Sequence, residues 1–136
     1  MTDFVVYDVS GKILRIGYCN EDEIEYQSRS EDEFTLAGTA GLDTHYVISG
    51  VLTAKASCPA TISSTTITAD GVDTILIDNI PIGTTATIVV PEGAASIDPI
   101  IINDGDLDFT CVVTGTYTFT LTSNTYLTKT LTLTAI

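Results

Sequence analysis

The sequence has no tryptophan, a single methionine at position 1, one histidine and only five basic residues. Each scarcity bears on function. Five Lys and Arg against 18 Asp and Glu leave a formal net charge of −13. A surface that tracks phosphates needs many more cations than that. Nucleic acid and anionic membranes are therefore disfavoured as partners. The sole histidine, His45, sits in LDTHYV without a GxSxG elbow or a Cys/His signature anywhere in the chain. It is read as a structural or surface residue. Phosphate loops, dinucleotide fingerprints and heptads are missing as well. Cys19, Cys58 and Cys111 are an odd number with no close pair. That suits neither a disulfide framework nor a zinc site, so they are read as small buried hydrophobes. No stretch keeps apolar residues at i, i+3, i+4 and i+7 for three turns. No span approaches the roughly 20 apolar residues of a membrane helix. MTDFVVYDVSGK has neither a basic start nor a long apolar run, so it is not read as a signal peptide. The expectation is a chain made and used in a cytosol, or leaving it without secretion.

What the sequence has in quantity is Thr, Ile and Val, with 44% hydrophobic residues overall. β-branched residues favour pleated strands, and this apolar content supports a packed core. The fold class is therefore read as all-β. Charge divides the chain in two. Residues 1–55 hold four of the five bases and the acidic runs NEDEIE and SEDEF, whereas residues 56–136 hold one base, Lys129. The boundary is placed between Val51 and Thr61, where Pro59 interrupts any continuous central strand.

The first part, residues 1–55, reads as a small antiparallel meander with a docking role, because a unit this short buries little surface by itself. Its strands are FVVY, KILRIGYC, IEYQ, FTLAG and THYVISGVLTAK, and DVSG supplies turn chemistry at Asp8–Gly11. The second part, residues 56–136, has seven strand-like runs: Ala60–Thr68, Asp73–Asn79, Thr84–Val90, Ile97–Asn103, Leu107–Val113, Thr116–Thr122 and Tyr126–Thr134. That spacing suggests a sandwich or barrel. NDGD reads as a type I′ turn at Asp104-Gly105, joining Ile100–Ile102 to Leu107–Phe109 in a hairpin.

The chain ends in TGTYTFTLTSNTYLTKTLTLTAI. Alternation puts Tyr117, Phe119 and Leu121 on one face of a strand, with Thr116, Thr118, Thr120 and Thr122 on the other. After the Ser123-Asn124 turn, Leu127, Leu131 and Leu133 are expected inward, Lys129 near an edge, and Thr128, Thr130, Thr132 and Thr134 outward. Gly115-Thr116-Tyr117 resembles the tyrosine corner of immunoglobulin-like domains, which implies an immunoglobulin-like β-sandwich. Phe119 stands where antibody domains carry a cysteine, and no Trp is present to pack on a bridge. The antibody-type disulfide between Cys58 and Cys111 is therefore not expected.

Acidic residues are the remaining candidates for chemistry. Asn103–Asp108 offers several oxygen ligands but departs from the EF-hand loop and reads fully as a turn. Glu21-Asp22-Glu23 and Glu31-Asp32-Glu33 read as solvated turns, with contact to a basic partner surface as the alternative. Nothing singles out a carboxylate pair for glycosidase chemistry. The chain is read as not an enzyme, with no catalytic, cofactor-binding or metal residues. The charge is read as serving solubility, with a cation-dependent assembly surface as the alternative.

FVVYDVSGKILRIGYC, with THYVISG further on, resembles the start of small tailed-bacteriophage proteins. The pattern is an aromatic strand, Asp-x-x-Gly-Lys-Ile at Asp8–Ile13, then Arg-x-Gly-x-Cys at Arg15–Cys19. Tyr46-Val47 and a β-rich part from Pro59 to Gly115–Tyr117 complete it. The resemblance implies a virion structural protein: tail, fibre, neck or capsid accessory. Immunoglobulin-like domains are frequent accessories on such particles. The implied partners are other copies of the chain and other virion proteins, with a host-surface glycan as a further candidate. The implied location is the virion, assembled in the host cytoplasm. Two alternatives stand beside a tail or fibre role. One is a carbohydrate- or cell-surface-binding module, whose sugar platforms would fall to Tyr7, Tyr18, Tyr26, Tyr46, Tyr117 or Tyr126. The other is a capsid decoration protein. A threonine-rich outer face also suits packing against other copies, as it suits plain solvation.

Overall fold

The computed structural model describes all 136 residues. The chain is all-β, with thirteen strands and one 3₁₀ helix. It divides into two compact units. The first comprises Met1–Ala56 with Asn124–Leu127, and the second comprises Ser57–Ser123 with Thr128–Ile136.

The first unit is built on an antiparallel three-stranded sheet with β1 (Thr2–Asp8) between β2 (Ile13–Cys19) and β3 (Glu33–Ala37). A central strand of a covered sheet must be apolar on both faces. Phe4, Val5 and Val6 meet that requirement: consecutive, and all buried. Phe4 and Val6 pack with Ile24 on one face. Val5 packs with Ile13 and Val47 on the other, flanked by Tyr7, Leu36, Ala40 and Leu52.

Ile24 belongs to a 3₁₀ helix, Glu21–Gln27, and is its one buried residue. This corrects the strand expected over IEYQ. Ile24 and Tyr26 alternate as a strand would, but only Ile24 finds a place against Phe4 and Val6, while Tyr26 stays exposed. Three acids in the first turn also suit a helix N-terminus. Val47 belongs to a hairpin of β4 (His45–Ile48) and β5 (Val51–Ala54). Its two-residue turn, Ser49-Gly50, has φ of 50° and 75°, as a type I′ turn requires.

DVSG turns as its residues suggest. The Asp8 carboxylate accepts from Ser10 N at 2.9 Å, Ser10 Oγ at 2.6 Å and Lys12 N at 3.1 Å. Gly11 has φ +85°, and its carbonyl accepts from Val47 N at 2.9 Å. A side chain at Gly11 would overlap the Val47 carbonyl.

The second unit is an immunoglobulin-like β-sandwich. One sheet has five strands in the order β10-β9-β12-β13-β7: Ile100–Ile101, Thr85–Val89, Gly115–Thr122, Lys129–Ala135 and Thr66–Ile67. The other has three, β11 (Leu107–Phe109), β8 (Ile75–Asp78) and β6 (Thr61–Ile62). β7 runs parallel to β13 while every other strand pair in the sandwich is antiparallel. Between the sheets lie Ile75, Ile77, Phe109, Tyr117, Phe119, Leu121 and Leu133, all buried. Phe109 meets the Phe119 ring edge-on, centroids 5.1 Å apart at 89°.

Three sequence expectations change in this unit. Ala60–Thr68 is two short strands in different sheets. Ser63 and Ser64 make the crossing: Ser63 Oγ accepts from Leu76 N at 2.9 Å, and Ser64 Oγ accepts from Thr66 N at 3.2 Å. The hydroxyls replace ladder bonds where the strand leaves one sheet for the other. NDGD is not a hairpin. β10 pairs with β9 and β11 with β8, so the segment passes between sheets. Only Gly105 of the pair has positive φ, and a type I′ turn needs two such residues. Finally, Leu127 is not part of the sandwich. Asn124–Leu127 belongs to the first unit, where Leu127 N donates to Ala56 O at 2.8 Å and Asn124 Nδ2 to Ser10 Oγ at 3.2 Å.

Candidate docking surfaces

On the first unit, Ile16 and Tyr18 lie on β2, an edge of the sheet, and are 48% and 61% exposed. Both point to the Val5 face, since Ile16 is opposite Val5 and Tyr18 opposite Asp3. Ile48 and Val51 flank the Ser49-Gly50 turn opposite one another, 54% and 61% exposed. Tyr26 stands on the 3₁₀ helix, 74% exposed. Phe34 stacks on Tyr7 at 5.5 Å between centroids and keeps one side open. Apolar side chains thus reach the surface from β2, β3, the hairpin tip and the helix.

The opposite face of the sheet is fastened by charge. Arg15 on β2 and Glu33 on β3 reach toward each other across β1. Arg15 Nη2 donates to Glu33 Oε1 at 2.5 Å and to Gln27 O at 3.0 Å. Glu33 Oε1 also accepts from Arg29 N at 2.8 Å. The pair therefore holds the end of the 3₁₀ helix against the sheet. The hydrogen bond from Arg15, and then that from Arg29 N, hold the Glu33 carboxyl below its usual range. The same bond raises Arg15. For Asp8, burial works upward, but the bonds from Ser10 and Lys12 outweigh it and lower the pKa.

The acidic triplets separate. Glu21, Asp22 and Glu23 are exposed in the first turn of the helix, as are Glu31 and Asp32 before β3. Glu33 leaves its triplet to serve the sheet. His45 begins β4, where its Nδ1 lies 2.8 Å from Thr44 Oγ1 and accepts from Gly41 N at 3.4 Å. It closes the turn before the hairpin. A small hollow of about 240 Å³ lies against Asp3, Phe4, Ile16, Gly17 and Gly38–Ala40. Gly17 leaves room there for the Phe4 ring.

On the sandwich, Tyr117 Oη donates to Val113 O at 2.8 Å, the corner bond the sequence pointed to. Burial, and then the neighbouring Cys111, push the Tyr117 hydroxyl up. Lys129, on the inward register of β13, donates from Nζ to Ala60 O at 2.7 Å and Cys58 O at 3.3 Å. All three cysteines are free thiols, Cys58 and Cys111 buried and Cys19 partly so. Burial, and then Glu23 and Asp22, raise the Cys19 thiol.

The outer face of the five-stranded sheet is a grid of hydroxyls. Thr116, Thr118 and Thr120 on β12 stand opposite Thr134, Thr132 and Thr130 on β13. Thr120 and Thr122 stand opposite Thr87 and Thr85 on β9. Thr66 continues one row on β7. Val89 and Ile101 are the remaining outward residues. The acids of this unit lie elsewhere. Asp70 accepts from Asp73 N and Val72 N at 2.8 and 2.9 Å, bonds that lower its pKa. Asp73 accepts from Thr68 N at 2.9 Å. Asp104, one of the oxygen-rich NDGD residues, accepts from Asp106 N at 3.2 Å. These carboxylates shape their own loops, and no group of three or more His, Cys, Asp or Glu is arranged as a metal site.

No family model matches the chain, and no curated protein matches it. Among solved structures, a glycosyl hydrolase family 2 member from Bacteroides cellulosilyticus shows a distant likeness, at 10% identity and a TM-score of 0.41. The alignment covers 99% of this chain and 22% of that one. A likeness of that size carries no functional argument.

Proposed function

We propose that the chain is a non-enzymatic structural component of a bacteriophage particle, tail-associated or a fibre accessory. In this reading the first unit docks on other virion proteins and the sandwich is the module it brings. The observation that carries it is the exposed apolar set of the first unit: Ile16 and Tyr18 on a sheet edge, Ile48 and Val51 at a hairpin tip. Fully burying one such side chain contributes about 1.5–3 kcal/mol, so a unit of this size presenting four of them gains much from a partner. An unprotected edge such as β2 also invites strand addition. The resemblance of Phe4–Cys19 to small tailed-phage proteins supplies the kind of partner. Mass spectrometry of density-purified particles tests the proposal. The chain is expected at constant stoichiometry to the major capsid protein through successive purification steps. Its confinement to the soluble lysate overturns the reading.

A carbohydrate- or cell-surface-binding role is the second reading, and Tyr18 and Tyr26 favour it. Both are aromatic, both are exposed, and both lie on the first unit. Aromatic faces are the usual platforms for sugar rings. A glycan array separates the two: binding lost in Y18A and Y26A supports it, and no binding removes it.

A further inference from the structure

The sequence holds Asp-Gly twice, at Asp70-Gly71 and Asp104-Gly105, and Asn-Gly nowhere. Such a link is prone to cyclise, because glycine has no Cβ to keep its amide nitrogen away from the aspartyl carboxyl carbon. Both aspartates are exposed and both lie in loops, but the fold treats the two links differently. At Asp70, Oδ1 accepts from Asp73 N at 2.8 Å and from Val72 N at 2.9 Å. These bonds hold the Asp70 carboxyl below its usual range, and the protonated form is the one that cyclises. Gly71 N donates to Cys111 O at 2.9 Å, and Ala69 N, just before the link, donates to Ile136 O at 2.9 Å. Nucleophile and electrophile are both tied down. At Asp104 a single longer bond, from Asp106 N at 3.2 Å, holds the carboxylate. Gly105 N donates to no group of the chain; only the Gly105 carbonyl is engaged, by Ile80 N at 3.0 Å. The link lies between β10 and β11, off every strand ladder.

We propose that Asp104-Gly105 is a site of spontaneous backbone modification, where aspartate converts to isoaspartate in the folded chain while Asp70-Gly71 is protected. Gly105 N attacks Cγ of the protonated Asp104 carboxyl. The N–Cγ bond forms, a Cγ–O bond breaks, and the carboxyl hydroxyl leaves with the amide proton as water. The product is a cyclic succinimide. Water then adds to one of its two carbonyl carbons. Addition at Cγ breaks the new bond and restores aspartate. Addition at the main-chain carbon breaks the original peptide bond, and the chain then runs through Cγ. Nothing is oxidised or reduced, and the composition of the chain is unchanged. The backbone gains one carbon between Asp104 Cα and Gly105 N. That carbon enters a loop whose Gly105 carbonyl receives Ile80 N, close to Ile102, which is bonded through its own backbone to Gly83 and Thr84. Water is the sole co-reactant, so the reaction is independent of any assembly role.

Incubation of the purified full chain in heavy-oxygen water, followed by peptide mapping with mass spectrometry, tests it. Each succinimide that reopens takes up a solvent oxygen and so marks the link that reacted. Samples are kept warm in mildly acidic buffer, folded or in guanidinium chloride, until the denatured sample is labelled at both links. Denatured, the two links are expected to react at similar rates. In the folded chain Asp104 is expected to take up label at least about tenfold faster than Asp70, whose backbone hydrogen bonds must break first. Fragmentation of the labelled peptide should show isoaspartate at Asp104. D104E keeps a carboxylate on a longer arm that closes a ring far less readily. It should remove the label from that peptide and leave the behaviour of Asp70 unaltered. The comparison of the two links is made on the unaltered chain, so it does not depend on how the variant folds. Equal labelling of the two links in the folded chain, faster labelling at Asp70, or an Asp104 link that stays unlabelled while the denatured sample reacts overturns the proposal. So does label that persists in the same peptide of D104E.

Discussion

The hydroxyl of Tyr117 donates to the carbonyl of Val113, four residues earlier, at 2.8 Å. That bond closes the corner by which the chain enters β12, the middle strand of the five-stranded sheet. The Tyr117 ring lies buried against Phe109, 5.1 Å between centroids. Y117F keeps the ring and removes the bond. One hydrogen bond contributes about 0.5–1.5 kcal/mol net, and a stranded acceptor adds to the loss. Urea unfolding of Y117F should therefore show about 1–2 kcal/mol less stability with an unchanged m-value. A loss indistinguishable from zero would mean that water serves the carbonyl equally well.

Gly11 bears on the first unit in a comparable way. Its φ of +85° suits glycine, and its carbonyl receives Val47 N. G11A combines an unfavourable backbone with overlap on the Val47 carbonyl, and should cost at least about 2 kcal/mol. Amide exchange should quicken over β1, β2 and β4. Unchanged exchange in those strands would contradict the packing described.

Acid should loosen the first unit early. Glu33 and Asp8 have folded pKa values below their unfolded ones. Their contribution is therefore present above the unfolded carboxylate pKa, about 4. It is lost as pH falls through the depressed folded values. E33Q should flatten the fall of stability with pH below about 4 while leaving the chain folded at pH 7. An acid profile identical to that of the unaltered chain would show the Arg15 pair to be thermodynamically silent.

Thiol reactivity offers a further check. Cys58 and Cys111 are buried, whereas Cys19 is partly open but has its thiol pKa raised by burial and by Glu23 and Asp22. A thiol reagent at neutral pH should modify Cys19 alone, and slowly, because the thiolate is the reactive form. All three should react in denaturant. Fast modification of Cys111 in the native chain would contradict the core packing.

The sandwich was legible in the sequence because its signals are local. Tyr117, Phe119 and Leu121 alternate with threonines and lie inward as that period requires, and Gly115-Thr116-Tyr117 marks the corner. Inward Lys129 was expected near an edge, but its two carbonyl partners, Cys58 and Ala60, were not readable because they come from a segment some seventy residues away in sequence. Pairing across long separations hid other features for the same reason. Ile100–Ile102 and Leu107–Phe109 looked like two arms of one hairpin until β9 and β8 claimed them separately. IEYQ carries too little apolar patterning to separate a strand from a 3₁₀ turn, and contact with Phe4 and Val6 decides it. The exposure of Ile16, Tyr18, Ile48 and Val51 was invisible as well. Alternation tells which face a residue takes, but not whether anything covers that face.

The most direct test of the structural role is immunogold electron microscopy of particles from the cells that make this chain, using antibody against it. The account predicts gold at one fixed place on each particle, such as the tail, neck or capsid surface. Absence of gold from intact and partly disassembled particles, with the soluble chain abundant in the same lysate, would contradict it.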